Sequence, residues 1–224
     1  MTTSALLQSR VSTWEDTFRK VVLVLARLAL AYLFFASLFW KMPPTFGCPP
    51  DYAFATANAE GKLVRSKGLC DWIGVEAVWS QRPRQFFVTN LDNQGEPEIA
   101  LDVSWLAQMN GTFLENFVKP NIRWFGYAVW GMEAFIFISL FFGLFSRLGG
   151  LVALAQSAQL QIGLAGISSP FEWEWSYHLM VVVALLMFAF APGRYFGLDT
   201  WLRPRLQATA AEGNRLAGLL LWLT

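Results

Sequence analysis

The sequence predicts an all-α membrane protein, a four-transmembrane-helix bundle with a long extracytoplasmic loop between helices 1 and 2. Three observations predict this fold class. Hydrophobic residues make up 55% of the 224 residues and charged residues only 15%, whereas soluble domains are about 25% charged. Four segments are each long and apolar enough to cross a bilayer, which takes about 20 apolar residues. Most of the charges lie in the segments that connect them.

The predicted segments follow the apolar stretches in chain order. They are a cytoplasmic N-terminal segment (1–20), the first span (21–41), the extracytoplasmic loop (42–122), the second, third and fourth spans (123–146, 149–168 and 174–192) and a cytoplasmic tail with an apolar end (193–224). The first span exceeds the apolar core of a signal peptide, which is about 7–15 residues, so we expect it to be retained. Gly149-Gly150 favours a turn after the second span. Pro170 and Pro192 end the third and fourth spans, because proline cannot continue a helix.

The charges of the short connections predict the orientation of the chain. Lys and Arg cluster in the N-terminal segment, in the turn after the second span and in the tail, at Arg10, Arg19, Lys20, Arg147, Arg194, Arg203 and Arg205. The turn before the fourth span contains Glu172 and Glu174 and neither Lys nor Arg. Because positive short loops stay in the cytoplasm, we expect both termini to be cytoplasmic and the protein to be integral to a bacterial or archaeal cytoplasmic membrane.

Net charge and metal-binding residues exclude several classes of function. A formal net charge of +1 differs from the basic character of nucleic-acid-binding domains, so we expect no nucleic-acid partner. One His and two Cys are too few for a zinc site or an iron–sulfur cluster, so we expect no metal. The partner that the composition predicts directly is the lipid bilayer.

The extracytoplasmic loop contains both cysteines, Cys48 and Cys70. On the oxidising side of the membrane this pair predicts a disulfide, whereas a redox-active pair would favour C-x-x-C spacing. Residues 86–101 favour a small hairpin. Apolar residues on one helical face between residues 105 and 118 predict a helix that lies on the outer membrane surface or caps the bundle. The apolar end of the tail is too short to span, and it is either an interfacial helix or an attachment point for a partner protein.

Polar residues inside the predicted spans are the candidate functional residues, because a charge in hydrocarbon costs at least about 2.5 kcal/mol. Counting about 1.5 Å per residue along each helix predicts two polar levels. The level nearer the cytoplasm contains Arg27 and Gln156. The outer level contains Glu133, Gln159, Gln161 and His178.

Two interpretations of these polar levels stay open. In the first, a pocket between helices binds the head of a quinone, with Glu133 as proton carrier and Arg27 as electrostatic anchor in the catalytic step. The residues that would bind the quinone are then His178, Gln161, Gln159 and Gln156. In the second, the same residues form a structural network that keeps the helices in register. The sequence has no recognisable motif for a redox cofactor.

Three stretches, taken together, have the order and spacing of a known family. Residues 27–41 run from an inner arginine to an outer lysine, and residues 126–147 contain a glutamate and close with Gly-Leu-Phe-Ser-Arg. Residues 192–199 read Pro-Gly-Arg-Tyr-Phe-Gly-Leu-Asp. These stretches resemble the DoxX/DoxD family of small four-helix membrane proteins, whose closing pattern is Gly-x-Gly-Arg-x-x-Leu-Asp. Here Ala191 or Pro192 stands in place of the first glycine.

The resemblance implies a membrane subunit of a redox system. DoxD-type proteins belong to thiosulfate:quinone oxidoreductase, in which electrons pass to a membrane quinone, and other DoxX-like proteins are accessory subunits. The matching positions in this chain are Arg27, Lys41, Glu133, Arg194 and Asp199. We therefore expect a quinone-linked oxidoreductase subunit or a non-catalytic accessory or assembly subunit of a larger respiratory or photosynthetic complex. In both cases other membrane or extracytoplasmic protein subunits are the expected partners.

Overall fold

Helices dominate this chain, as the sequence predicts. The computed structural model describes residues 3–83, 85–86, 101–165 and 174–224, and 74% of these residues are helical. The eight α-helices of this described part are α1 (Thr3–Trp40), α2 (Gly68–Ser80), α3 (Ser104–Phe113), α4 (Ile122–Phe142), α5 (Ser146–Leu164), α6 (Glu174–Phe190), α7 (Asp199–Ala211) and α8 (Arg215–Leu223). Its strands are β1 (Thr56–Ala57), β2 (Leu63–Val64), β3 (Gln85–Phe86) and β4 (Leu101–Asp102).

Two of these helices are long and apolar enough to cross a membrane, namely Thr13–Trp40 of α1 and all of α4. A core helix of a soluble protein would be mostly buried, yet only 22% of the most apolar window of α1 and 33% of that of α4 are buried. Helix α6 is apolar but shorter over Ser176–Phe190. Length, apolarity and exposure thus support a membrane location, while the four-span bundle and the orientation of the termini stay predictions.

The described part of the segment between α1 and α4 folds around α2 and a disulfide. The predicted bridge between Cys48 and Cys70 is confirmed. Phe46 is fully buried beside it, in a core that also contains Leu69, Cys70, Ile73, Ala77, Leu114, Val118 and Ile122. A Cβ atom on Gly126 would overlap the Phe46 ring and lie 2.6 Å from its Cγ atom, so the glycine lets α4 pack closely against this core.

The four strands form two short antiparallel pairs. Thr56 of β1 pairs with Val64 of β2, and Phe86 of β3 pairs with Leu101 of β4. The second pair joins the ends of the predicted hairpin, and residues 87–100 within that hairpin lie outside the described part of the chain. Glu172 of the predicted acidic turn and Pro170 at the end of the third predicted span also lie outside it.

Helix α3 places its large apolar residues on its outer side. It continues into one π-helical turn at Leu114–Val118. The residues that pack inward are Ala107, Gly111, Leu114 and Val118. The exposed ones, spaced four apart, are Trp105, Met109, Phe113 and Phe117. This exposed aromatic face fits the prediction of a helix on a membrane surface.

The turn between α4 and α5 falls at residues 143–145 and not at Gly149-Gly150. Gly143 ends α4 with a φ of 63°, which glycine adopts without steric cost. Gly149 and Gly150 lie inside α5. A Cβ atom on the first would lie 2.8 Å from Cβ of Ser139, and one on the second would lie 2.5 Å from the backbone nitrogen of Phe188. The glycine pair therefore allows close helix packing instead of a turn.

The chain divides into two compact units. The first consists of Met1–Ala36, Ala134–Leu154 and Val182–Thr224, and it includes α7 and α8. The second consists of Ser37–Glu133 and Ala155–Val181, and it includes α2, α3, the strand pairs and the disulfide.

Ala191, directly after α6, has the left-handed backbone conformation that glycine favours. Its φ is 44° and its ψ is 64°. In this region the Cβ atom approaches a carbonyl oxygen, which costs a non-glycine residue about 1–2 kcal/mol. Pro192 then begins a single 3₁₀ turn. Ala191 or Pro192 stands where the DoxX/DoxD pattern that the chain resembles has its first glycine.

We predict that Ala191→Gly raises the free energy of unfolding by about 1 kcal/mol, because glycine removes the Cβ contact. Unfolding by a denaturing detergent, followed by circular dichroism, measures the change. Ala184→Gly is the matched control, since Ala184 is equally buried but lies within α6. That substitution should lower the free energy by about 1 kcal/mol or more. Equal effects at the two positions would contradict the left-handed backbone conformation of Ala191.

Candidate functional site

Glu133 of α4 forms a buried ion pair with Lys41, the residue that follows α1. Ser37, one helical turn before Lys41, donates a hydrogen bond from Oγ to Oε2 of Glu133 over 2.7 Å. Glu133 is 2% exposed and Lys41 is 6% exposed. The ammonium group also lies 4.6 Å from the centre of the Trp40 ring. The predicted proton carrier is therefore neutralised by a neighbouring charge, and both its oxygens have partners.

Arg27 of α1 is buried, and main-chain carbonyl groups are its hydrogen-bond acceptors. Its Nη1 atom donates to the oxygen of Pro192 over 3.3 Å, and its Nη2 atom donates to that of Phe196 over 2.7 Å. A Cβ atom on Gly197 would lie 2.9 Å from Nη1 of Arg27, so a glycine is needed beside the guanidinium. Arg27 thus holds the turn after α6 against α1.

Asp199, the last residue of the DoxX-like pattern, caps the start of α5. It is fully buried. Its Oδ1 atom accepts from the amide of Phe145 over 2.7 Å, and its Oδ2 atom accepts from that of Ser146 over 2.8 Å. The first amides of a helix have no partner within the helix and carry partial positive charge, so a carboxylate stabilises them. Ser146 in turn accepts a hydrogen bond at Oγ from the amide of Gly193 over 3.1 Å.

Glu76 of α2 is another buried carboxylate, and it is not among the site residues predicted from the sequence. Its Oε2 atom accepts from Nδ2 of Asn110 over 3.0 Å and from Nε2 of Gln159 over 2.9 Å. A Cβ atom on Gly163 would lie 2.5 Å from the carboxyl carbon of Glu76, so the glycine makes room for this group. The signal that could have found it is a carboxylate within the otherwise apolar residues 72–79.

The predicted site residues occupy several local arrangements. Glu133 contacts Lys41, and Gln159 contacts Glu76, so each has a partner outside the set predicted for the quinone pocket. Gln156 is buried in α5, and Gln161 and His178 are half-buried in α5 and α6. Arg27 belongs to the first compact unit, whereas the other five residues belong to the second. Among the described residues, no group of three or more His, Cys, Asp or Glu is placed to hold a metal ion.

Two buried hydrogen-bond donors in the second unit have no partner within the described residues. They are Nε1 of Trp130, on α4, and Oγ of Ser157, on α5. Trp130 lies three residues before Glu133, so the two side chains share one side of α4. A buried donor without a partner costs about 1–3 kcal/mol, which a ligand with an acceptor oxygen would recover.

Comparison of the chain with protein-family models, with curated proteins and with solved structures found no match. The resemblance to the DoxX/DoxD family therefore stays a prediction from the three stretches of sequence.

We predict that Gly163→Ala destabilises the protein by about 1–3 kcal/mol, because the added methyl group overlaps the Glu76 carboxylate. In a Glu76→Ala background the same substitution should be neutral or stabilising, since the overlap is gone and alanine favours the helix by about 1 kcal/mol. A double-mutant cycle of unfolding free energies measures the coupling. Additive effects would show that the two residues do not touch.

Proposed function

We propose that this chain is a DoxX/DoxD-like integral membrane subunit that acts as an accessory or assembly component of a larger membrane complex. In this proposal α1, α4, α5 and α6 cross the membrane. The observation that carries it is the buried ion pair of Lys41 and Glu133, in which the intramembrane carboxylate is already neutralised. A buried pair of this kind supports a specific helix register more than a reaction.

The other buried charges support the same conclusion. Arg27 binds two main-chain carbonyls and Asp199 binds two main-chain amides, so both groups join turns and helices of the protein. The exposed aromatic face of α3 offers contact area to lipid or to a partner subunit. Large apolar surfaces of this kind are typical of membrane and protein interaction sites.

Mild-detergent purification of the native protein, followed by mass spectrometry of the co-purifying chains, tests the accessory role. We expect defined stoichiometric membrane subunits to co-purify. A protein that is isolated alone, stable and without companions would contradict the proposal.

We further predict that replacing both charges, with Lys41→Met and Glu133→Leu together, preserves the fold and the co-purifying subunits. Apolar residues of similar volume often replace a buried ion pair at little cost. Glu133→Leu alone should lower the free energy of unfolding by about 3–5 kcal/mol, since it leaves the Lys41 charge buried without its partner. Detergent unfolding and co-purification of the same samples measure both effects.

Asp16→Leu is the control for the single substitution. It breaks the exposed pair of Asp16 and Lys20, and its effect should stay below about 1 kcal/mol. A folded double variant that had lost its partner subunits would contradict a purely structural role for the Lys41–Glu133 pair.

A quinone-linked redox subunit is the second candidate function, and the two unpartnered donors favour it. Quinone carbonyls accept hydrogen bonds, so Trp130 and Ser157 are the residues that would donate to this group. A bound quinone would supply the acceptor for electrons and protons. Glu133 and Lys41 could then hold or exchange a proton within their ion pair, and a partner protein would have to supply the electrons.

For this second function we predict that Trp130→Phe weakens quinone binding about tenfold, because it removes the indole donor and keeps an aromatic ring. Equilibrium dialysis with a short-chain ubiquinone measures the affinity. Trp124→Phe, at an exposed tryptophan of the same helix, should leave the affinity unchanged. Absence of saturable binding to the unmodified protein would refute a quinone site.

A further inference from the structure

Three arginines of the first compact unit converge on the last turn of α8. Arg194 donates from Nε to the main-chain oxygen of Thr224 over 3.0 Å, and Arg203 donates from Nη1 to the same oxygen over 3.3 Å. Arg147 donates from Nη1 to the main-chain oxygen of Trp222 over 3.3 Å. Its guanidinium carbon lies 5.8 Å from the centre of the Trp222 ring. We call Arg147, Arg194 and Arg203 the arginine cluster.

The arginine cluster has more positive charge than its acceptors balance. The oxygen of Thr224 balances at most one positive charge, as a carboxylate would, and the acceptor oxygen of Trp222 contributes only the partial negative charge of a helix C-terminus. Burial, together with the charges of Arg203 and Arg147, lowers the pKa of Arg194. Asp199 opposes this shift of the Arg194 pKa and adds one negative charge, which leaves part of the positive charge of the three guanidinium groups unbalanced. The cluster therefore has the capacity to bind a further anion.

The turns and helices that carry or contact the arginine cluster also expose apolar side chains. All three arginines are only half-buried, so a ligand can reach them. Exposed apolar side chains of the same turns and helices are Phe196, Leu198, Leu216, Leu219 and Trp222. Helix α8 exposes three of them on one face, as an amphipathic helix at a membrane surface does.

We propose that the arginine cluster binds the phosphate of an anionic membrane lipid, while the exposed apolar side chains contact its acyl chains. Guanidinium groups match phosphate in shape and charge, and basic pockets beside membrane helices bind acidic head groups. A lipid offers negative charge and apolar surface together, which suits this site better than an acidic peptide. The proposal requires a surrounding membrane but neither the accessory role nor a quinone, so its failure leaves those functions undecided.

The test uses the full chain in nanodiscs of phosphatidylcholine alone or mixed with phosphatidylglycerol. Native mass spectrometry after release from the nanodisc counts the lipids that stay bound, and thermal unfolding is measured on the same samples. The unmodified protein should retain phosphatidylglycerol in preference to phosphatidylcholine. It should also unfold at a higher temperature in the mixed bilayer, because a ligand that binds the folded state stabilises it.

Substitutions of single arginines test whether the lipid binds at the arginine cluster. Arg147→Gln and Arg203→Gln should each reduce phosphatidylglycerol retention about fivefold, the loss expected for one cation at a membrane surface. Arg205→Gln is the matched control. It removes the same charge from α7, but Arg205 stacks on Trp201, with its guanidinium carbon 3.5 Å from the ring centre. The Arg205→Gln variant should retain as much phosphatidylglycerol as the unmodified protein.

Several outcomes would overturn the proposal. Equal retention of the two lipids by the unmodified protein would do so, and this measurement holds even if the variants do not fold. An equal loss with Arg205→Gln would indicate general surface charge instead of a site. Equal stabilisation by inorganic phosphate in lipid-free detergent would indicate a soluble anion. Release of an acidic partner protein by Arg147→Gln, with no lipid preference, would indicate a protein interface.

Discussion

A charge among apolar helices is stable only where the chain itself supplies groups that neutralise or solvate it. The described residues meet this constraint in different ways. Glu133 is neutralised by Lys41, Arg27 is held by main-chain carbonyls, and Asp199 is held by the amides that begin α5. Each charge lies where two elements of the chain meet. Apolar side chains alone would tolerate several helix registers, and these charges favour one of them.

The apolar segments and the disulfide could be predicted from the sequence, because both depend on local composition and spacing. The turn after α4 could not, because a glycine pair serves turns and close packing equally well. Only the neighbours of Gly149-Gly150, such as Ser139, decide between the two. Glu76 was missed for a related reason, since its partners Asn110 and Gln159 come from other helices and no spacing along α2 reveals them.

The predicted site illustrates the limit of counting depth along helices. Depth places residues along one axis, whereas a hydrogen bond also depends on the direction in which a side chain leaves its helix. Glu133 and Gln159 were assigned to one polar level, but Glu133 is bound to the end of α1 and Gln159 is bound to α2. Trp130 and Ser157 were not candidates, because a tryptophan or a serine in an apolar helix is unremarkable until its donor is found without an acceptor.

The length of α1 sets how far the protein reaches from a bilayer. With 38 residues the helix is about 57 Å long, whereas the hydrocarbon layer is only about 30 Å thick. Its polar part carries the exposed pairs Glu15–Arg19 and Asp16–Lys20, which suit head groups and water. Residues 3–20 would therefore form a rod that extends roughly 27 Å beyond the apolar segment. A protein that binds near the N-terminal end of this helix would be held at a fixed distance from the membrane and in a fixed orientation. A flexible linker would fix neither.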